Sequence, residues 1–248
     1  VGVIQYKSFI KNGKEERIPY VLLPPFHTTV TAQIQVTLSA EGEFLGASKV
    51  EGEDKLTIIP ITEKSGSRTA GKAPHPLCDN LKYLAGDYGT YVQDNKGDVE
   101  SYHALYMEEL EKWHRSPFSH EKVDAIWSYL KKGVLIQDLL AEKVLQKKED
   151  GYLGEEVKIE GVSQNMAFVR FIVRGKNGMK FGQNCDECWK DPSLWECFIQ
   201  YYRSVEGEKE LDYLTGEMQT ASYLHSKKIR NEGDGAKLIS SNDESNYT

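Results

Sequence analysis

The stretch AQIQVTL at residues 32–38 alternates apolar and polar side chains without interruption. A period of two is typical of a half-buried β-strand, because successive side chains of a strand point to opposite faces of the sheet. The Glu-Gly pair at 41–42 predicts a tight turn, and FLGASKV at 44–50 predicts the returning strand. A short apolar run at 56–61 predicts a third strand, which Pro60 favours near a sheet edge. This part of the chain therefore predicts an antiparallel sheet.

The middle of the chain instead carries apolar residues at helical spacing. The pattern predicts three helices, over 102–113, 123–130 and 134–145. A later helix is predicted to begin at Asp191, a favoured capping residue, with Pro192 at its first position. Between the two helical regions, 168–173 predicts a strand that is apolar on both faces.

These elements together predict an α+β fold with an N-terminal antiparallel sheet, a helical middle section and a mixed C-terminal part. The charged, glycine-containing stretch 146–161 is the best boundary candidate and divides the chain into sections 1–147 and 148–248. The alternative is that both sections form one domain. Residues 1–26 fit a short helix and a strand about equally. Short strands are also predicted at 211–214 and 236–239.

Composition narrows the classes of function. The 248 residues carry 31 Lys and Arg against 38 Asp and Glu, a net charge of -7. This balance argues against a protein that coats nucleic acid over its whole surface, but it allows local basic loops. No apolar run approaches the length of a transmembrane helix, and the N-terminus does not resemble a signal peptide. We therefore expect a cytoplasmic protein with reduced thiols and no membrane partner.

The longest basic segment without an acidic residue is KSGSRTAGKAPH at 64–75. Small residues allow backbone amides to approach a phosphate closely, and basic and hydroxyl side chains add further donors. The segment therefore predicts a contact with a nucleic-acid backbone or groove edge. The alternative is a solvated, mobile surface loop. The candidate binding residues are Lys64, Ser65, Ser67, Arg68, Thr69, Lys72 and His75.

A second basic stretch lies near the C-terminus, where acidic residues dilute it. It lacks the spacing of a phosphate-binding P-loop, so a plain charged turn is the better local interpretation. Its residues remain secondary candidates for DNA contact: Lys227, Lys228, Arg230 and Lys237.

The sequence offers little support for a metal site or for catalysis. Cys185, Cys188 and Cys197 suggest zinc, but structural zinc sites need four ligands and the second close pair is missing. The histidines lack metal-ligand spacing, and no nucleophile motif or spaced carboxylate set is present. We therefore expect no metal, no cofactor and no enzymatic activity.

Several segments in chain order resemble the large subunit of type I-C CRISPR interference complexes (Cascade). Each is weak alone, but together they span nearly the whole chain. They are HTT at 27–29, the strand at 32–38, GxF at 42–44, PxTExSxxRTxG at 60–71, PHPLCDxLxYxAGD at 74–87, HxKV at 120–123, KGxLIxDL at 132–139, FVRF at 168–171, LTGE at 214–217 and KIRNxGDxAKLISSND at 228–243.

The resemblance implies a non-catalytic subunit that surveys double-stranded target DNA. Such subunits sit at the crRNA 5′ end, inspect the duplex for a short protospacer-adjacent motif (PAM), and help recruit a separate helicase–nuclease. The guide RNA reads the long sequence, and protein reads the short motif and the backbone. The implied partners are therefore duplex DNA, the crRNA-containing complex with its backbone subunits, and the helicase–nuclease. The basic segment at 64–75, which we call the basic loop, becomes a DNA-contact candidate, together with His27, Thr28 and Thr29.

The chain departs from the family pattern at Val30 and Thr31, where members carry Gln-Asn or similar residues. Family chains also continue into a helical C-terminal domain, so the resemblance implies that this chain is the N-terminal part of a longer subunit. Two other functions stay open: a nuclease of the same defence system, which needs a cluster of metal ligands, and an adaptor that contacts only protein.

Overall fold

The structure is a computed structural model. It describes residues 4–11, 14–21, 23–52, 54–68, 72–93, 99–175, 185–205, 209–211, 216 and 218–220. The predicted α+β class is confirmed, with an N-terminal antiparallel sheet, helices in the middle and mixed structure after them.

Eleven strands lie in the described ranges. They are β1 (Ile4–Lys11), β2 (Lys14–Val21), β3 (His27–Thr31), β4 (Ile34–Ser39), β5 (Phe44–Lys49), β6 (Leu56–Pro60), β7 (Lys158–Ile159), β8 (Val162–Ser163), β9 (Val169–Arg174), β10 (Lys209–Leu211) and β11 (Met218–Thr220). The ambiguous N-terminal region forms the antiparallel hairpin β1–β2. Strand β10 begins two residues before the strand predicted at 211–214, and residues 212–214 and 236–239 lie outside the described ranges.

The alternating stretch forms β4, which is the centre of a three-stranded sheet in the order β5-β4-β9. Strand β5 pairs with β4 antiparallel through the predicted turn. Gly42 lies in that turn with φ +79°, and a Cβ there would lie 2.5 Å from the backbone oxygen of Ala125. Only glycine fits this position, because it needs a positive φ and helix packing leaves no room for a side chain. Strands β3 and β6 form a separate antiparallel pair.

Strand β9 pairs with β4 in parallel, with Ile34 opposite Val169 and Leu38 opposite Val173. One sheet therefore contains residues from both predicted sections of the chain. The boundary at residues 147 and 148 stays a prediction, and this shared sheet is what the single-domain alternative expects.

Seven helices are described. They are α1 (Glu63–Gly66), α2 (Leu81–Leu84), α3 (Tyr88–Tyr91), α4 (Val99–His114), α5 (Glu121–Leu130), α6 (Leu135–Ala141) and α7 (Pro192–Val205). The last four are those predicted from apolar spacing, although α6 ends at Ala141 rather than at residue 145. The basic segment at 64–75 begins inside the single helical turn α1.

The core lies between the sheet and the longer helices. Helix α5 packs on β4 and β9, and Ile34, Val36 and Leu38 on β4 are fully buried. Aromatic side chains of α4 and α7 complete this core, with Trp113 packed edge-on against Phe198 at 5.0 Å between ring centroids. The same helices form one side of the region in which the basic loop lies.

Candidate nucleic-acid interface

The basic loop starts in a capped helical turn. The hydroxyl of Thr62 accepts a hydrogen bond from the backbone N–H of Ser65 at 3.1 Å, and the hydroxyl of Ser65 accepts one from the N–H of Thr62 at 3.0 Å. This reciprocal arrangement is a capping box, which satisfies donors at the start of a helix. Ser65 is buried, and the hydroxyl of Ser67 donates to the carbonyl of Glu63. Both predicted serines therefore hydrogen-bond within the loop.

Arg68 is held by Asp79 in a two-pronged ion pair. Its two terminal nitrogens lie 2.8 and 3.0 Å from the carboxylate oxygens of Asp79, and one also donates to the carbonyl of Ala73. The guanidinium also lies 4.7 Å from the ring centroid of Tyr83. Burial alone would lower the pKa of Arg68, but the pairing with Asp79 outweighs it and raises the pKa. Arg68 therefore closes the loop on itself, and its contact with a phosphate stays a prediction that would require breaking this pair.

His75 lies inside the same turn of chain. Its backbone N–H donates to Asp79 at 2.8 Å, and its side chain is buried against Phe168. Burial lowers the pKa of His75 to about 4; Asp79 opposes this shift in part, and Arg68 adds to it. The ring is therefore neutral at physiological pH.

Exposed lysines, by contrast, form the outward side of the loop. Lys64 and Lys72 are both exposed. Lys72 hydrogen-bonds to the hydroxyl of Ser101, and its ammonium lies 5.0 Å from the ring centroid of Tyr102 on α4. Lys82 on α2 approaches the same ring at 4.4 Å. The loop and two helices thus bring cations and an aromatic ring together, a combination typical of nucleic-acid contacts.

Sequence analysis missed Lys82 and Tyr102. Lys82 lies between motif positions of the 74–87 segment, and its only local signal is that Leu81 and Tyr83 on either side are buried. Tyr102 is the first residue of the helix that apolar spacing predicts over 102–113. Their association depends on the packing of α2 against α4, which no local pattern encodes. We call Lys64, Lys72, Lys82 and Tyr102 the basic patch.

The His-Thr-Thr motif lies at the start of β3, largely inside the molecule. His27 is 2% exposed, and its Nδ1 lies 2.7 Å from the carbonyl of Pro25. Burial lowers its pKa to about 4, and the bond to Pro25 opposes this in part. Thr29 is buried as well, whereas Thr28 is partly exposed. A DNA contact by this motif stays a prediction.

Other residues of the family-like segments hold helices in place. The carboxylate of Asp87 accepts hydrogen bonds from the backbone N–H groups of Ile136 and Gln137 at the start of α6. The ammonium of Lys122 on α5 is completely buried and lies 2.6 Å from the carboxylate of Asp191, just before α7. These contacts stabilise the helical layer behind the basic patch.

A groove of about 180 Å³ runs beside the basic patch. It is lined by Thr62, Lys64, Lys72, Ala73, Pro74, Pro76, Leu105, Glu109, Tyr201, Tyr202 and Val205. The backbone N–H of Glu63 donates to the hydroxyl of Tyr202 at 2.8 Å, which ties α1 to α7.

The remaining candidates divide into two groups. Thr69, Lys227, Lys228, Arg230 and Lys237 lie outside the described residues. Cys185, Cys188 and Cys197 are free thiols. Within the described ranges, no three His, Cys, Asp or Glu side chains are grouped so that they could hold a metal ion. The absence of zinc stays a prediction.

No helix in the part of the chain that the structure describes has both the length and the apolar character needed to cross a lipid bilayer.

Comparison with known protein families gives one match over nearly the whole chain. The family model described as CRISPR-associated protein (Cas_Csd1) matches residues 4–248. No curated protein matches the chain.

Proposed function

The chain belongs to the Cas_Csd1 family of CRISPR-associated proteins, and we propose that it surveys duplex DNA for the interference complex through the basic patch. Membership makes the chain a Cascade component and confirms the resemblance to the large subunit of type I-C. The proposal adds duplex binding, PAM recognition, recruitment of a separate helicase–nuclease, and action in the cytoplasm. The single observation that carries it is the pair of ammonium groups of Lys72 and Lys82 over the ring of Tyr102.

An acidic protein needs to concentrate positive potential where it meets DNA, because phosphate contacts provide most of the sequence-independent affinity. Lys64 and Lys72 come from one loop, and Lys82 comes from the helix that follows it. Lysine acts on a phosphate as a flexible point charge, so these residues bind the backbone without reading its sequence.

The buried half of the loop has a positioning role in this proposal. Arg68 holds both Asp79 and the carbonyl of Ala73, so the chain on either side of Lys72 is anchored at a fixed point. Anchoring lowers the conformational entropy that the loop loses when it binds DNA. In this proposal Arg68 influences DNA binding indirectly, because it fixes the position of Lys72.

The test compares duplex binding by complexes that carry wild-type chain or the triple variant Lys64→Ala, Lys72→Ala, Lys82→Ala. Each lost phosphate contact should reduce the slope of log affinity against log salt by about one unit. Affinity for a duplex target should fall most at low salt. Binding of a single-stranded target complementary to the guide should be preserved, because guide pairing bypasses duplex inspection.

The matched control is Lys131→Ala, Lys143→Ala, Lys148→Ala, which removes the same charge from exposed lysines that follow α5 and α6. Long-range effects of net charge would weaken both complexes alike, whereas direct contacts weaken only the first. Equal duplex affinity and equal salt slope in the wild type and the patch variant would refute the proposal. The search would then move to Lys227, Lys228, Arg230 and Lys237.

We also propose that the subunit is not a nuclease and that strand cleavage belongs to its helicase–nuclease partner. The complex without that partner should leave duplex and single-stranded DNA intact in the presence of Mg²⁺. Cleavage that survives purification and disappears on a single Asp or His substitution in this chain would overturn this assignment.

A further inference from the structure

The groove beside the basic patch combines an apolar wall with flanking cations. Pro74 and Pro76 form one part of the lining, and Leu105 of α4 and Val205 of α7 form another. Val205 is 57% exposed, an unusually high value for a large apolar side chain that lines a groove. The two exposed lysines of the loop, Lys64 and Lys72, line the same groove.

Its size selects a small, flat group. At about 180 Å³ the groove is smaller than the sites of drug-sized ligands, which start near about 300 Å³. A helix with its side chains, about 10 Å across, does not fit. Trp113 stacks on one face of Tyr201, and Phe198 stacks on one face of Tyr202. Pro74 and Pro76 are buried, so the exposed side chain of Val205 is the main apolar surface that an occupant would contact.

The charges select the chemistry of the occupant. The two lysines favour phosphate groups, and the apolar wall favours a planar ring. A nucleotide within a strand combines both, because its base lies between two phosphates. The carboxylate of Glu109 also lines the groove and is held by Lys112 at 2.8 Å. It offers a hydrogen-bond acceptor to the N–H groups of a base.

We propose that this groove holds the base of one unpaired nucleotide of the target DNA, with neighbouring phosphates at Lys64 and Lys72. The inference rests on the proposed function and deepens it, because it gives the surveying surface a preference for DNA whose pairing is already broken. A paired base is stacked inside the duplex and reaches the groove only at the cost of unstacking, whereas an unpaired one costs less.

The test uses the assembled complex loaded with a crRNA that does not match the probe, so that guide pairing contributes nothing. Three fluorescently labelled duplexes differ at one position: fully paired, with one unpaired nucleotide, and with one unpaired abasic nucleotide. Fluorescence anisotropy should show about tenfold tighter binding of the base-bearing bulge than of the abasic one, because burial of one base against the apolar wall supplies about that factor. The abasic probe keeps the bend and the phosphates, so it isolates the base.

Val205→Asp should remove this preference, because it places a charge against the apolar wall. The matched control is Leu45→Asp on β5, since Leu45 is 56% exposed and does not line the groove. Glu109→Ala, which removes the hydrogen-bond acceptor at a partly exposed position, should reduce the preference several-fold. It is the variant to use if Val205→Asp disturbs assembly. The triple lysine variant should weaken all three probes.

Failure of the two proposals can be told apart. If the lysine variant weakens all probes but the base-bearing and abasic bulges bind equally, the groove inference is wrong and the surveying function stands. The same conclusion follows if Val205→Asp and Leu45→Asp behave alike. If Val205→Asp instead releases a protein subunit from the complex and leaves the bulge preference unchanged, the groove holds a protein partner and the inference is overturned.

Discussion

The junction between α5 and α7 and the basic loop each contain one aspartate–cation pair, but the more deeply buried partner differs. At the junction the Lys122 side chain is 0% exposed and the Asp191 side chain 7%. In the loop Asp79 is 0% exposed, while Arg68 is 19% exposed. The junction thus buries its cation completely inside the fold, whereas the loop buries its anion and keeps its cation near the surface.

The difference shows that a basic residue in a sequence does not by itself indicate a DNA contact. Lys122 and Arg68 lie in family-like segments, yet both are engaged with aspartates and with backbone carbonyls, of Cys185 and Ala73 respectively. Lys64 and Lys72, a few residues from Arg68, are exposed, although Lys72 also hydrogen-bonds to Ser101. Burial in the case of Lys122 and ion pairing with Asp79 in the case of Arg68, and not the presence of charge, decide which cations are presented to a phosphate.

The largest effect should come from removing the aspartate of the junction. Asp191→Ala leaves the ammonium of Lys122 buried without its carboxylate, and breaking a buried pair in this way costs about 3–5 kcal/mol of unfolding free energy. Urea unfolding followed by circular dichroism measures it. Asp150→Ala, at an exposed pair with Lys148, is the control and should change stability by less than about 0.5 kcal/mol. Similar values for both variants would contradict the assignment.

The loop should make stability depend on pH through His75. Its pKa in the fold is about 4, below the ordinary 6.5, so the unfolded chain takes up a proton more readily. The contribution is complete above pH 6.5 and declines as the pH falls toward 4, reaching a loss of about 3 kcal/mol below that window. His27 adds a loss over the same window.

His75→Gln should therefore flatten the fall in stability between pH 6.5 and 4, as measured by urea midpoints. At the junction, burial also lowers the pKa of His120, whose Nδ1 accepts from the N–H of Lys122 at the start of α5. His120 is less buried than His75, so His120→Gln should flatten the profile less. A steeper or unchanged profile for His75→Gln would show that the ring is not held neutral by burial.

A smaller effect is expected for Arg68→Lys. Lysine keeps the charge but cannot form the two-pronged pair with Asp79, so the variant should lose about 2 kcal/mol. Duplex affinity of the complex should fall as well, because the backbone near Lys72 is less firmly anchored. Arg115→Lys, at a side chain that is 71% exposed, should leave stability and binding as they are. Full stability of Arg68→Lys would mean that the loop does not depend on the fork geometry.

The smallest effect on stability should come from the basic patch itself. Replacing Lys64, Lys72 and Lys82 with Ala should change the free energy of unfolding by less than about 1 kcal/mol per site. Lys64 and Lys72 are exposed and Lys82 is partly exposed, and cation–π contacts at such positions contribute little to folding. The same variant should have the large effect on duplex binding described above. Loss of both properties together would remove the distinction between the buried and exposed cations.

Local pattern determined much of this protein. The alternation at 32–38 predicted β4, the apolar spacing predicted α4, α5 and α7, and Asp191 with Pro192 predicted where α7 begins. Periodicity and capping act within a few residues, so they are readable from one sequence. The acid-free segment at 64–75 likewise identified the loop that carries Lys64 and Lys72.

Tertiary structure alone decided which residues meet. The parallel pairing of β4 with β9 joins positions 135 residues apart, such as Ile34 and Val169, and α2 on α4 brings Lys82 to Tyr102. A basic residue in a polar loop is expected to be exposed, but the ion pair with Asp79 holds the side chain of Arg68 at 19% exposure. Such contacts depend on the sum of many weak packing terms over the whole chain, and no short window of sequence contains that sum.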